Sequence, residues 1–301
     1  MKKDLRKAYI ALAIVSFFWG TTYLASKISA LHIPGFFVAG VRQFISGAIL
    51  VTWFKLMGYS WPDRKSLMNI GVQAVLLLCI SNGLLTWALE YIPSGLAAII
   101  AGLVPLFVAL FSILLLRFAR FTKLMILGLL IGFGGIATIF YEHIAGLVNQ
   151  KFALGIGLSL VATISWSFGT VYASRNKPTT DILYSVGLQM LMAGIIMLTI
   201  CGLTGQYTNL AHAEPKALLS LFYLIVVGSL FTYSAYVFAI SKLPPTQVSI
   251  YAYINPIVAV ALGWLLLSEK MSFNVVTGTL ITLAGVYLVN REFKKQQACL
   301  K

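Results

Sequence analysis

Ten runs of mostly apolar residues, each about twenty long, succeed one another along this chain and leave little sequence between them. They fall at 8–28, 35–56, 67–89, 94–116, 123–141, 153–174, 182–203, 217–240, 246–267 and 273–290, joined mostly by fewer than ten residues. A hydrocarbon core of about 30 Å needs about 20 apolar residues per helix, so each run is long enough to span it. The runs are continuous and lack the polar–apolar alternation of barrel strands. The expected fold class is therefore all-α and integral to a membrane, with ten transmembrane helices. Composition agrees, since 59% hydrophobic and 10% charged residues in a chain of 301 is too apolar for one soluble core.

The ten runs are two sets of five. Pro93 and Pro105 are twelve residues apart, as are Pro244 and Pro256, and one ungapped offset of 151 superposes both pairs. The same offset lays Leu114-Leu115-Leu116 on Leu265-Leu266-Leu267 and Gly134 on Gly285. In the second and seventh runs an offset of 147 carries Gly40, Arg42 and Gly47 onto Gly187, Gln189 and Gly194. In the first and sixth, Gly20, Thr21 and Tyr23 meet Gly169, Thr170 and Tyr172 at offset 149. Residues 1–145 and 146–301 thus read as two five-helix repeats. Five is odd, so the second copy enters the membrane inverted. Inverted repeats around a midplane site suit alternating access, because each half can adopt the other's conformation.

The net charge of +14 invites a nucleic-acid reading, but its distribution argues against one. With the N-terminus inside, 17 of the 22 Lys and Arg residues fall in cytoplasmic segments, and only Lys151, Lys216 and Lys270 in outer loops. Lys27 and Arg42 sit within or at the edge of apolar runs. This is the positive-inside bias, and it places both termini in the cytoplasm. The basic N-terminus resembles a signal peptide, but its run continues through Trp19-Gly20-Thr21-Thr22 without a clear small-residue cleavage site and reads as the first span. Cys79, Cys201 and Cys299 suggest neither a metal site nor a disulfide framework.

Polar and aromatic residues recur on particular helix faces. Trp19, Thr22, Tyr23 and Ser26 follow i, i+3, i+4, i+7 in the first run, and a stripe of that kind belongs against protein or a water-filled cavity. The alternative for such residues is an interfacial aromatic belt. Ser165 and Tyr172 lie in the matching segment of the sixth run. Asn82 and Thr86 in the third run correspond to the face of Ser229, Thr232, Tyr233 and Tyr236 in the eighth; interhelical hydrogen bonding is the competing explanation there. Tyr251 and Asn255 share a face of the ninth run beside Pro256. Pro105 and Pro256 each remove a backbone donor in mid-helix, and broken helices at matching positions of two repeats point to a midplane site. Arg42 lies six residues past Phe36, about 9 Å into its helix. Two readings stay open for it, a contact inside the bundle or snorkelling to the outer interface. Gln189 holds the matching place in the second copy. The fifth and tenth runs are rich in small residues (Gly128-x-x-x-Gly132, Gly278, Gly285) and are expected at the periphery, with a homodimer contact as one possible use.

Taken together, Trp19-Gly20 with Lys27, Arg42, the two Pro frames and Leu-Leu-Leu-Ser-Glu269-Lys-x-Ser resemble the drug/metabolite transporter superfamily, specifically its EamA-type members. The resemblance covers essentially the whole chain. It implies a ten-helix inner-membrane carrier exporting amino acids or related small metabolites. It further implies a central cavity lined by the first, third and fourth spans of each half. One departure is that Phe118 stands where the second copy has Glu269, so a helix-end or interfacial role is expected for that acid.

The eight acids, Asp4, Asp63, Glu90, Glu142, Asp181, Glu214, Glu269 and Glu292, all sit in loops, tails or span ends. None stands in mid-membrane where a proton relay would need it. The expectation is uniport, exchange, or coupling through something other than a buried carboxylate. His32, His143 and His212 lie in outer loops, no nucleophile elbow, P-loop or H-E-x-x-H motif appears, and neither enzyme activity nor a cofactor or metal is expected. A polyanionic substrate such as a nucleotide sugar, the alternative within the superfamily, would want several inward cations. With only Lys27, Arg42 and Arg175 near the interior, a neutral or zwitterionic small molecule fits better.

Overall fold

A computed structural model describes residues 2–116, 122–142, 149–249, 251–269 and 272–298, and these described residues form ten helical spans. They are α1 (Lys2–Ala30), α2 (Gly35–Leu56), α3 (Arg64–Ala88), α4 (Ser94–Leu115), α5 (Lys123–Glu142), α6 (Gln150–Arg175), α7 (Ile182–Thr204), α8 (Pro215–Lys242), α9 (Pro245–Leu267) and α10 (Phe273–Ala298). Eight are long and apolar enough to cross a bilayer, and the apolar stretches Lys123–Gly135 and Phe273–Val289 mark the other two. No strand occurs among the described residues. The multi-pass helical class read from the apolar runs is the class observed. Phe118, His143 and Cys299 lie outside the described residues.

Local chemistry sets the span ends. Pro34, Pro93 and Pro244 stand immediately before α2, α4 and α9, where a missing N–H costs nothing. Asp63, Asn149 and Asp181 begin α3, α6 and α7 by accepting backbone N–H groups of the first turn. Gly205, at φ 69°, ends α7 in the left-handed region.

The two repeats interleave. α1 packs on α8 and α9 of the other copy, and α6 packs on α3 and α4; α2 crosses α7, and α5 lies along α10. The α2–α7 crossing is self-matching. A Cβ on Gly47 would stand 2.6 Å from the Cα of Leu191, and one on Gly194 would stand 2.5 Å from the Cα of Phe44. The offset of 147 carries Gly47 to Gly194 and Phe44 to Leu191, so a pseudo-two-fold axis runs through this contact. Along α5 and α10, Gly128 abuts the carbonyl of Gly285, and Gly135 abuts that of Gly278. The glycine face considered for a dimer is thus filled within the chain. The faces turned outward carry Leu130, Phe133, Leu280 and Tyr287.

Two features inside the spans also repeat. α3 widens to a π-helix over Ala74–Gly83, and α8 does so over Leu224–Tyr233, ten residues each at an offset of 150. α4 breaks between Ala101 and Val104, just before Pro105, whereas α9 continues through Pro256. Gly194→Leu is expected to cost about 1–3 kcal/mol or more by overpacking the α2–α7 crossing. Gly157→Ala, with open space at its Cβ, should stay within about 0.5 kcal/mol. Thermal unfolding of the two variants in detergent checks both.

Candidate substrate cavity

A cavity of about 80 Å³ lies among α1, α2, α3, α4, α6, α8 and α9. α5 and α10 do not reach it, and neither does α7. Of the residues singled out in the sequence, Trp19, Thr22, Tyr23, Arg42, Asn82, Tyr233, Tyr251 and Asn255 line it. Ser81 lines it as well, and so do Gln43, Thr163 and Trp166, which were not anticipated.

One wall is aromatic. Trp19 meets Trp166, Tyr236 and Tyr251 at ring-centroid distances of 5.1, 5.0 and 5.1 Å, and Tyr233 stacks on Tyr236 at 6.0 Å. Tyr236 is fully buried behind this layer, its hydroxyl bonded to Thr170 Oγ1 at 2.5 Å. The layer leaves few polar atoms toward the space it bounds, and such rings favour flat or apolar groups of a ligand.

Arg42 and Gln189, equivalent in the two copies, differ in what they meet. Gln189 is fully satisfied. Its Nε2 donates to Gln73 Oε1 (3.1 Å) and Ser185 Oγ (3.3 Å), while its Oε1 accepts from Tyr233 (2.7 Å). It closes a neutral network between α3, α7 and α8, away from the cavity. Arg42 is 4% exposed, donates from Nε to Ser229 Oγ at 2.7 Å, and has no carboxylate within 4.0 Å among the described residues. The reading in which it snorkels outward does not hold, because its head is buried against α8. Gly228 makes the room for it: a Cβ there would stand 3.1 Å from Arg42 Nη2. Trp19 Nε1 donates to the Gly228 carbonyl at 3.4 Å, so the π-helical part of α8 seats both residues.

The two mid-span prolines act at the same place. Pro105 and Pro256 offer no N–H to the carbonyls four residues earlier, which belong to Ala101 and Ala252. Those two alanines are related by the offset of 151, and both line the cavity. The remaining residues of the sequence reading lie elsewhere. Thr86 turns back to the Asn82 carbonyl (2.8 Å), Ser165 donates to Leu76 O on α3 (2.8 Å), and Tyr172 donates to Asn69 near the Arg64 end of the bundle (2.9 Å). Among the described residues no group of three or more His, Cys, Asp or Glu is placed to hold a metal ion.

The sequence profile of the EamA-like transporter family matches the chain twice, over residues 6–141 and 153–291. The chain belongs to that family. The chain is 33% identical over 271 residues to the uncharacterized inner membrane transporter YedA of Escherichia coli K12, covering 90% of this chain and 86% of that protein. It is 26% identical to the uncharacterized transporter YvbV of Bacillus subtilis, covering 98% and 96%. One solved crystal structure superposes with a TM-score of 0.68 over 96% of this chain and 98% of that one, at 16% identity, which is a likeness of fold. This is a multi-pass membrane transporter of the EamA family.

The span ends of this EamA transporter are pinned by charge. Glu269 accepts from Ser94 N (2.8 Å), Ser94 Oγ (2.9 Å) and Gly95 N (3.2 Å), so the end of α9 caps the start of α4 in the other repeat. Ser268, at φ 53°, turns the chain back, and Glu269 N bonds the Gly263 carbonyl at 3.1 Å. The helix-end role expected for Glu269 is thus exercised on a different helix. Glu90 accepts from Gly35 N at the start of α2 (2.6 Å); burial pushes its carboxyl above the usual range, and the Gly35 N–H opposes that. Lys27 Nζ donates to the carbonyls of Leu89 (2.7 Å) and Ile92 (3.1 Å) at the end of α3. Glu269→Ala should lower stability by about 0.5–2 kcal/mol, and Glu269→Gln, which keeps an acceptor oxygen, by less. Melting temperatures of the purified variants read the difference.

Proposed function

We propose that this EamA transporter exports amino acids or related neutral or zwitterionic small metabolites by alternating access through the central cavity. It does so across a bacterial cytoplasmic membrane with both termini inside. The observation that carries the reading is the position of the cavity. It lies among spans of both repeats, beside Pro105, Pro256 and the two π-helical stretches, where a rocking of one set of helices against the other would expose it first on one side and then on the other. The aromatic layer with a single buried guanidinium suits a small molecule with one apolar body. A polyanion would need more cations than Arg42 alone. The cation distribution supports the orientation. The name of the Escherichia coli relative supports the inner membrane as the location.

Purified protein in liposomes should show counterflow of one neutral or zwitterionic class from a mixed panel of labelled amino acids, nucleotide sugars and organic cations. Trp19→Ala and Asn82→Ala should reduce that exchange about tenfold or more while the protein stays folded. Glu90→Gln should retain most of it, because that carboxylate caps α2 and does not face the cavity. Exchange confined to nucleotide sugars, or its abolition in Glu90→Gln under a proton gradient, would contradict the reading.

A further inference from the structure

The pseudo-two-fold makes Arg42 and Gln189 counterparts, yet only one of them is satisfied by protein. Gln189 closes its network with Gln73, Ser185 and Tyr233. Arg42 donates one side-chain hydrogen bond, to the Ser229 hydroxyl, and has no carboxylate within 4.0 Å among the described residues although it is 4% exposed. A guanidinium removed from water and left unpaired is costly, and the state that relieves it has an anion beside it. The next residue adds a second unmet group. Gln43 is 1% exposed, lines the cavity, and donates Nε2 to Asn82 Oδ1 at 3.3 Å, while its Oε1 is buried with no partner. A buried cation and a buried orphan acceptor, adjacent on α2 and facing one small cavity, match the two poles of an α-amino carboxylate.

We propose that Arg42 and Gln43 form the headgroup subsite of this transporter, Arg42 taking the substrate carboxylate and Gln43 Oε1 the α-ammonium. The substrate side chain then lies against Trp19, Trp166 and Tyr251. The proposal rests on the carrier reading above and narrows it to zwitterionic α-amino acids with apolar side chains. Ser229 is a positioning residue, holding Arg42 through Nε and leaving its two terminal amino groups for the carboxylate fork.

The test measures binding directly, so that it stands apart from transport. Purified protein in detergent is titrated with the standard amino acids, followed by tryptophan fluorescence and thermal shift. L-phenylalanine is compared with L-phenylalaninamide, which lacks the carboxylate, and with 3-phenylpropanoate, which lacks the ammonium. Wild-type protein should bind the amino acid about tenfold or more tightly than either analogue, as expected for a charge-assisted hydrogen bond in a dry site. Arg42→Gln should abolish the preference over the amide, Arg42→Lys should restore part of it, and Gln43→Leu should abolish the preference over 3-phenylpropanoate. Equal binding of acid and amide by the wild type overturns the proposal without recourse to any variant. So does the failure of every amino acid to bind. Counterflow of another neutral class in liposomes of that same protein would leave the carrier reading standing while the headgroup subsite falls.

Discussion

Inside a bilayer a backbone carbonyl that loses its helical partner cannot be rescued by lipid. Such a group is tolerated only where it meets protein or a water-filled space. This constraint explains where the irregular parts of the chain lie. Pro105 and Pro256 deprive Ala101 and Ala252 of their donors, and both alanines border the cavity. The π-helical stretches of α3 and α8 lie beside the same space, and Thr232 Oγ1 bonds the Val227 carbonyl five residues back, a span that suits the wider turn. α5 and α10, which carry no such defect among the described residues, lie against each other away from the cavity.

Interleaving gives these defects a mechanical setting. Because α1 packs on α8 and α9, and α6 on α3 and α4, a displacement of either group moves one copy's spans with those of the other. The end contacts join the copies as well. Glu269 of α9 caps α4, and His32 pairs with Glu214 at 2.8 Å beside the start of α8. The latter is half-exposed, and a surface contact of that kind contributes about 0–1 kcal/mol at most. Glu269 bonds three donors of one helix start, which makes it the firmer tie. The symmetry is structural, and the chemistry departs from it. Asn82 and its counterpart Tyr233 both line the cavity with unlike groups, whereas Arg42 lines it and its counterpart Gln189 does not.

Most of the fold was legible in the sequence, because apolar runs of spanning length admit few alternatives and the proline frames repeat without gaps. The cavity was legible only in part, and the misses have more than one physical cause. Face assignments assumed 3.6 residues per turn. In α8 the widened turns disperse the predicted face of Ser229, Thr232, Tyr233 and Tyr236. Only Tyr233 reaches the cavity, while Ser229 seats Arg42 and Tyr236 backs the aromatic layer. In α3, Thr86 turns onto its own helix and bonds the carbonyl four residues back. In α6 the repeat alignment put Trp19 opposite Phe168, which hid Trp166, one residue from the chosen Ser165. Gln43 carried no signal in periodicity, since its role depends on Asn82 across the space between helices.

Reciprocal opening of the two ends is the central claim. Spin-label pairs at Leu31 with Lys216, and at Arg64 with Lys242, would report opposite ends of the bundle, all four positions being exposed. Double electron–electron resonance would then follow both distances in liposomes with and without substrate. The account predicts that one distance lengthens in the conformations where the other shortens. Two distances that move in the same sense, or that stay fixed in protein active in counterflow, would contradict it.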